Sequence, residues 1–250
     1  IFDETLINSI TLADMEGVPP VENTGQVRWF KRPTPGMTYL VSLDPSMGTG
    51  GDYAAIQVFE LPTFEQVGEW HHNMTPMNQQ VRILQGINKH IHDTIIEKDS
   101  SATPQIFYSM ENNTIGEAAL MRVMDIGEEN IVGMFLSEPI RKGHRRKFRR
   151  GFNTTAKHKI DACTKFKELI ESGKMKINSQ LLISEMKDFV ATGLSYKAKP
   201  GQHDDLVSSC LLMTRMMKVL ADFDPKIFEK WTDRSSEMTT PMPIFGNFYG

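Results

Sequence analysis

Short apolar runs separated by turn-forming residues mark the chain after residue 36. Residues 39–43 form an apolar run that ends at Asp44, and residues 53–61 and 64–72 are rich in β-branched and aromatic side chains. Glycines follow the first segment, and a Pro-Thr pair separates the other two. This pattern predicts three adjacent β-strands, joined as antiparallel hairpins.

The apolar spacing changes to three or four residues between positions 76 and 98, where the apolar residues stand at 81, 84, 87, 91 and 95. That spacing predicts a helix that covers one face of the sheet. The rest of the chain predicts, in order, a strand over residues 105–110, a helix over 114–127 and a strand over 131–136. A helix that follows Thr154-Thr155 and ends near 173 comes next, and further helices are predicted over 180–191 and 203–220.

Three strands followed by alternating helices and strands predict an α/β domain with a mixed β-sheet flanked by helices. This element order matches the ribonuclease H-like fold. We assign residues 37–222 to that domain. Residues 1–36 are acidic and contain several prolines, so we interpret them as a linker or docking arm. Residues 223–250, with prolines and scattered aromatic residues, are interpreted as a C-terminal tail.

Composition narrows the class of protein. With 250 residues, of which 40% are hydrophobic, the chain can bury a core without a metal or disulfide, and collagen-like and disordered classes are excluded. Two cysteines are too few for a cysteine-based zinc site. No apolar run approaches the roughly 18 residues that a membrane helix needs, so we expect no membrane partner.

The net charge is only −3, but the basic residues are unevenly distributed. Residues 141–150, RKGHRRKFRR, hold seven of the 28 lysines and arginines, and we predict a basic loop or β-hairpin inserted into the domain. Such a cluster binds phosphates without reading sequence. A solvated hairpin face is the alternative. The predicted nucleic-acid contacts are Arg145, Arg146, Lys147, Arg149 and Arg150.

Acidic residues fall at the ends of predicted elements. Asp44 ends the first strand and Glu111 ends the fourth, while Asp204 and Asp205 stand in the first turn of the last helix, where the helix dipole stabilises negative charge. The first and fourth strands are neighbours in a ribonuclease H-like sheet. Asp44 and Glu111 are therefore expected to emerge side by side, with the Asp pair nearby.

Carboxylates that converge from separate elements suit two Mg²⁺ or Mn²⁺ ions, the arrangement that hydrolyses phosphodiesters. Each acid also has a structural alternative, because Asp-Pro opens turns and acidic residues cap helices. The loop after Asp44 contains three glycines before Asp52, which permits close backbone approach to a phosphate or a tight turn. No Gly-Lys-Ser/Thr sequence follows, so this is not a Walker A loop.

With these motifs in view, the chain resembles the C-terminal nuclease domain of the large terminase subunit of tailed bacteriophages. The resemblance spans residues 39 to about 220. Its motifs are LDPSMGTGGDYAA at 43–55, SMENN at 109–113, KHK at 157–159, LIESGK at 169–174, GLSY at 193–196 and HDDLV at 203–207.

The resemblance implies a metal-dependent endonuclease that cuts concatemeric double-stranded DNA at the start and end of viral genome packaging. The family's catalytic acids map onto Asp44, Glu111 and Asp205, with Asp204 as an alternate or additional metal ligand. It further implies an upstream ATPase domain of the same full-length chain, to which residues 1–36 would lead. The implied partners are the portal protein and the small terminase subunit, and the implied location is the host cell cytoplasm.

Two other functions stay open at this stage. The chain could serve as a docking module that grips DNA or the portal without cleavage, in which case DNA binding would be salt-dependent but metal would not stimulate cutting. A junction resolvase or transposase-type nuclease of the same fold would instead cut particular DNA structures.

Overall fold

A seven-stranded mixed sheet organises the described part of this computed structural model, which comprises residues 5–139, 150–193 and 195–223. A two-stranded sheet lies apart from it. The strands of both sheets are β1 (Glu22–Thr24), β2 (Val27–Trp29), β3 (Thr38–Asp44), β4 (Ala54–Leu61), β5 (Glu65–His72), β6 (Gln105–Met110), β7 (Met134–Phe135), β8 (Phe189–Thr192) and β9 (Ser195–Ala198).

Helices pack on both faces of the large sheet, as the element order predicts. Side-chain caps define several helix starts: Asn113, Thr155 and Ser179 each accept a hydrogen bond from a backbone N–H in the first turn. The helices are α1 (Ser9–Asp14), α2 (Met77–Lys98), α3 (Thr114–Ile126), α4 (Ala156–Glu171), α5 (Gln180–Asp188) and α6 (Asp205–Phe223), with a 3₁₀ turn at Glu128–Asn130.

Strand β3 occupies the centre of the large sheet, whose order is β1-β2-β5-β4-β3-β6-β7. It pairs antiparallel with β4 and parallel with β6, and Leu43 lies beside Met110. The predicted hairpins of β3, β4 and β5 are confirmed, and so is the predicted adjacency of β3 and β6. The acids that end β3 and β6 therefore leave the sheet at the same edge.

Two hydrophobic cores cover the two faces of this sheet. Leu40 of β3 packs with residues of α4, α5 and α6, whereas Tyr39 and Val41 pack with α2 and α3 on the other face. Because both faces of β3 are buried, its sequence is an almost continuous apolar run rather than an alternating pattern. Helix α6 lies directly on β3 and β4, which places its N-terminus near the end of β3.

The segment before residue 37 carries more structure than its pattern predicts. Leu6, Ile7 and Leu12 are buried in the core that α4, α5 and α6 form. The hairpin of β1 and β2 extends the large sheet, because β2 pairs antiparallel with β5. The role of residues 1–36 as a connection to an upstream ATPase domain remains a prediction.

Two predicted elements differ from the structure. The helix predicted over residues 180–191 ends at Asp188, and Phe189–Thr192 instead forms β8, which pairs with β9. Aromatic and β-branched residues in this stretch favour a strand, and Gly193 turns the chain with a φ of +60°. The strand predicted over residues 131–136 is reduced to Met134–Phe135.

Most of the predicted basic insertion and nearly all of the predicted tail lie outside the described residues, which omit 140–149 and 224–250. Helix α6 continues to Phe223 at the predicted tail boundary. No helix in the described ranges combines the length and apolar character that crossing a bilayer demands.

Two helical glycines provide a test of how closely the start of α3 packs against the backbone of Glu111. A Cβ on Gly116 would overlap the carbonyl oxygen of Glu111, whereas a Cβ on Gly86 of α2 meets nothing within 4 Å. We expect Gly86→Ala to stabilise the protein by about 0.5–1 kcal/mol, the usual gain from Gly to Ala in a helix. Gly116→Ala should destabilise it by roughly 1–3 kcal/mol through overpacking. Urea unfolding of both variants measures this, and stabilisation by Gly116→Ala would contradict the described packing.

Candidate active site

Strands β3 and β6 each end in an acid at the same edge of the sheet. Asp44 is the last residue of β3, and Glu111 directly follows β6. The Glu111 N–H donates to the Leu43 carbonyl at 3.2 Å, which continues the parallel pairing up to the acids. The carboxyl groups of Asp44 and Glu111 lie within hydrogen-bonding reach of each other, as the sequence predicts. Both line a cavity of about 110 Å³.

A buried pair of serines sets the position of α6 against β3. The Ser42 hydroxyl lies 2.8 Å from the Ser209 hydroxyl and donates to the Ser209 carbonyl at 2.9 Å. The Ser209 hydroxyl in turn lies 3.1 Å from the Ser42 carbonyl. Asp44 stands two residues beyond Ser42 on the strand, and Asp205 stands one helical turn before Ser209. This contact therefore brings the start of α6 towards the end of β3.

Burial and neighbouring negative charge dominate the electrostatics of Asp44. Loss of solvent raises the pKa of Asp44 well above its usual value, and the carboxylates of Glu111, Asp205 and Asp204 raise it further. These four predicted ligands therefore share one electrostatic environment. Such a cluster is stable only if it takes up protons or cations, because like charges in a poorly solvated site repel strongly.

Asp205 is the more enclosed member of the Asp pair. Its side chain is 16% exposed, compared with 28% for Asp204. Burial and the Asp204 charge raise the pKa of Asp205 to about 6, although a hydrogen bond from the Tyr53 backbone N–H opposes the rise. His203 Nδ1 lies 3.7 Å from the Asp205 carboxylate.

The carboxylate of Asp204 is directed to other partners. It accepts a hydrogen bond from the Ala198 N–H of β9 at 3.2 Å and lies 4.0 Å from Lys159 Nζ. Its carbonyl accepts from the Ser208 N–H at 2.7 Å, so Asp204 is the residue that begins α6 rather than part of its first turn. Of the pair, the Asp205 charge has the larger effect on the pKa of Asp44.

Two cations line the same cavity as Asp44 and Glu111. Lys159 of α4 and Arg215 of α6 reach it together with the Thr154 and Ser208 side chains. Arg215 forms an ion pair with Glu138 and donates to the Thr154 hydroxyl at 2.8 Å. The cavity thus combines carboxylates with positive groups, an arrangement that can bind an anion beside a cation site.

Glu185 of α5 is a fifth acid near this cluster, and it is absent from the site residues that the sequence predicts. Its carboxylate accepts from the Val207 N–H at 3.1 Å and lies 3.7 Å from His71 Nε2. Burial raises the pKa of Glu185 to about 8, and the Asp205 charge contributes. In the sequence, Glu185 stands beside apolar positions of α5 with no motif around it. Only the packing of α5 on α6 reveals its proximity.

The donor set matches the chemistry of a divalent metal, although the side chains are not gathered around one point. Among the described residues, no three His, Cys, Asp or Glu side chains are grouped closely enough to hold an ion. The carboxylates nonetheless supply the hard oxygen ligands that Mg²⁺ and Mn²⁺ prefer. A bound cation would also relieve the repulsion that raises the pKa of Asp44. The metal ligands therefore remain a prediction that this electrostatic arrangement supports.

Of the predicted nucleic-acid contacts, only Arg150 belongs to the described residues. Its guanidinium forms an ion pair with Glu128, and its carbonyl accepts from the Asn112 side chain at 2.7 Å. Arg145, Arg146, Lys147 and Arg149 lie outside the described residues. The segment that follows them returns beside the active site, because Phe152 bridges to Glu111 in parallel.

Comparison with known protein families identifies the family of this chain. A family model described as the terminase RNase H-like domain matches residues 41–216, which is more than half of the chain. The chain therefore belongs to the terminase RNase H-like domain family, and the predicted family and fold class are confirmed.

Solved structures agree with this assignment. The fold is similar to the large terminase nuclease of thermophilic phage G20c with bound magnesium, with a TM-score of 0.61, 17% identity and coverage of 85% of this chain and 96% of that one. For the large terminase nuclease domain of Thermus phage P74-26 the TM-score is 0.57 and the identity 18%, with coverage of 82% of this chain and 93% of that one. For the manganese-soaked, inhibitor-bound human cytomegalovirus terminase nuclease domain the TM-score is 0.53 and the identity 14%, with coverage of 84% of this chain and 94% of that one. At such identities the likeness concerns the fold.

Metal-free stability tests the electrostatics of Asp205. The pKa of about 6 in the folded protein exceeds the value near 4 expected for an unfolded aspartate. The unfolded state therefore loses its proton first, and stability falls as the pH rises from about 4 to about 6. Asp205→Asn removes this loss of stability and can keep the hydrogen bond from the Tyr53 N–H. The variant should therefore be more stable than the wild type by roughly 1–3 kcal/mol above pH 6, with little difference near pH 4.

Urea unfolding in EDTA at several pH values measures this difference. Asp93→Asn is the control, because the hydrogen bond from Lys89 lowers the pKa of Asp93 and its replacement should not stabilise at any pH. Equal effects of Asp205→Asn at pH 4 and pH 8 would contradict the described environment.

Proposed function

We propose that this domain is a divalent-metal-dependent endodeoxyribonuclease that cuts double-stranded DNA by hydrolysis. The observation that carries the proposal is the cluster of Asp44, Glu111 and Asp205, whose carboxylates come from two strand ends and a helix start and act on one another electrostatically. Membership of the terminase RNase H-like family supports the same activity.

In this proposal, Asp44, Glu111 and Asp205 hold two Mg²⁺ or Mn²⁺ ions, and Asp204 is an additional ligand. Such ions, when bound, supply charge stabilisation at the phosphate and lower the pKa of a coordinated water. Asp44 links the other two acids in this proposal, because its carboxyl lies within hydrogen-bonding reach of Glu111 and the Asp205 charge raises its pKa. Magnesium in the phage G20c structure and manganese in the cytomegalovirus structure are consistent with this choice of metals.

Lys159 and Arg215 provide the phosphate-binding side of the cavity. A phosphodiester that approaches Asp44 and Glu111 would carry its negative charge towards these two cations, which line the same space. Arg215 is held in place by Glu138 and Thr154, whereas Lys159 lies 4.0 Å from Asp204. Lys159 therefore lies beside one of the proposed metal-binding acids, and a preorganised charge there would stabilise the charge that develops on the phosphate.

The basic segment that contains Arg145, Arg146, Lys147, Arg149 and Arg150 would hold the DNA backbone next to this cavity. Two residues after its C-terminal end, Phe152 forms a parallel β-bridge with Glu111. Contacts to phosphates alone carry no sequence information, which suits cleavage at arbitrary positions of concatemeric DNA.

The cellular setting follows from family membership. We infer that the domain works downstream of an ATPase domain in the same full-length chain and cuts viral DNA at initiation and termination of packaging. The portal protein and small terminase subunit would be its partners, in the host cell cytoplasm.

Removal of any one of the three acids should abolish cleavage. Asp44→Asn, Glu111→Gln and Asp205→Asn keep side-chain volume but remove a charged metal ligand, and we expect cleavage rates to fall by roughly 10²–10³-fold or more. Plasmid linearisation and nicking in Mg²⁺ or Mn²⁺ are the measurements.

Asp93→Asn, an exposed acid of α2, is the matched control and should cut like the wild type. Full cleavage by folded Asp44→Asn protein would refute the assignment of the site. Metal-independent DNA binding by a wild-type protein that never cuts would favour a docking module instead.

Neutralisation of the basic segment tests its role in DNA binding. Replacing Arg145, Arg146, Lys147 and Arg149 with glutamine should reduce the slope of log affinity against log salt concentration by roughly 3 to 4, if each contacts one phosphate. Fluorescence anisotropy with labelled duplex DNA measures the slope in EDTA. Replacing Lys89 and Lys187, exposed on other helices, should leave it unchanged. An unaltered slope in the fourfold variant would remove this segment from the DNA contact surface.

A further inference from the structure

We propose that Gln80, a buried residue of α2, is a positioning residue that sets the spacing between the Asp44 and Asp205 carboxylates by fixing the glycine-rich loop between β3 and β4. The loop comprises residues 45–53. This inference rests on the proposed nuclease function and deepens it. In the described contacts Gln80 touches none of Asp44, Glu111 and Asp205, so its effect on them would act through the loop.

Each end of the loop lies beside one of the two acids. Asp44 immediately precedes it on β3. At the other end, the Tyr53 backbone N–H donates to the Asp205 carboxylate, and the Asp52 charge also acts on Asp205. The conformation of this loop therefore influences how far the β3 acid lies from the α6 acid.

The side-chain amide of Gln80 binds both backbone groups of the second loop residue. Its Oε1 accepts from the Ser46 N–H at 3.2 Å, and its Nε2 donates to the Ser46 carbonyl at 2.9 Å. Nε2 also donates to the Thr75 carbonyl at 2.7 Å. Gln80 is fully buried, so these bonds are protected from competition by water. A methionine has similar length but can reproduce none of them.

Between Met47 and Asp52 the loop has no hydrophobic anchor, whereas Tyr53 at its end stacks on the His71 ring with the ring centroids 4.1 Å apart. Residues 49–52 are exposed, and Met47 is 63% exposed. Gly48 has a φ of +67° and its Cα lies against the Thr75 carbonyl, where a Cβ would overlap. The Gly50 N–H donates to the Asn73 carbonyl at 2.9 Å. Polar contacts to residues 73–75 and to Gln80 therefore define the conformation of the loop before Tyr53.

Helix α2 does not depend on Gln80 in the way that the loop does. Its apolar face, with Val81, Leu84 and Ile87, is buried against the sheet. Loss of the Gln80 amide should thus release the loop from the helix while the helix remains packed. The expected consequence is weaker metal binding in a folded domain.

The test compares Gln80→Met with Asn88→Leu. Asn88 is also a buried amide of α2, but it donates to the Val132 carbonyl at 2.8 Å and has no described contact with the loop. Binding of Mn²⁺ is followed by the loss of the free-ion electron paramagnetic resonance signal, and folding by urea unfolding. We expect Gln80→Met to raise the dissociation constant for Mn²⁺ by about 10-fold, the scale seen when groups behind metal ligands are removed. Asn88→Leu should lower stability but leave Mn²⁺ affinity unchanged.

Plasmid cleavage at varied Mn²⁺ concentration adds a second readout. The concentration for half-maximal cleavage should rise in parallel for Gln80→Met, whereas the rate at saturating metal should fall less. Wild-type Mn²⁺ affinity in folded Gln80→Met protein would overturn the inference, and so would an equal loss of affinity in Asn88→Leu.

Two further results separate this inference from the proposed function. If Gln80→Met does not fold, Gln80→Asn, which keeps the amide but is one methylene shorter, takes its place with the same expected loss of affinity. If the wild type cuts DNA and the Asp44→Asn variant does not, but Gln80 variants bind Mn²⁺ normally, the proposed nuclease function holds and the proposed role of Gln80 is wrong. If the wild type binds no Mn²⁺, both fail.

Discussion

The packing of helix α6 against the central strand β3 is the constraint on which the rest of the site depends. The reciprocal hydrogen bonds of Ser42 and Ser209 set this packing where both residues are fully buried. They bring Asp205 towards Asp44 although 160 residues separate them in the chain. Desolvation and mutual repulsion of these acids oppose the arrangement, so the hydrophobic burial of α6 on the sheet must outweigh that cost.

The same balance links stability to function. Carboxylates that raise one another's pKa are unfavourable in a metal-free domain, and a divalent cation would convert their repulsion into attraction. Functional sites commonly retain such locally unfavourable groups because the surrounding fold is stable enough to hold them. Lys159 and Arg215 show how the cavity offsets part of its negative charge without filling the space between the acids.

Supporting residues around the acids have distinct roles. Gln80 and the glycine-rich loop act on the β3 side, where backbone hydrogen bonds determine loop shape. On the α6 side, Glu185 accepts the Val207 N–H in the first turn of the helix and connects α5 to the site. Residues of two different helices, α2 and α5, therefore contact the backbone next to the two halves of the cluster, which makes the relative position of the halves a property of the whole domain.

The sequence by itself determined most of the element order and the positions of Asp44 and Glu111 at strand ends, because periodicity and strand boundaries are local properties. Motifs also indicated the family, which the family model confirms. Only the tertiary structure decided that Phe189–Thr192 pairs as a strand and that β1 and β2 extend the sheet. It also decided that Lys159 lines the cavity of Asp44 and Glu111, that Glu185 lies near Asp205, and that Gln80 binds the loop after Asp44. These features depend on contacts between residues far apart in the chain, and no local pattern encodes which buried polar group will face which partner.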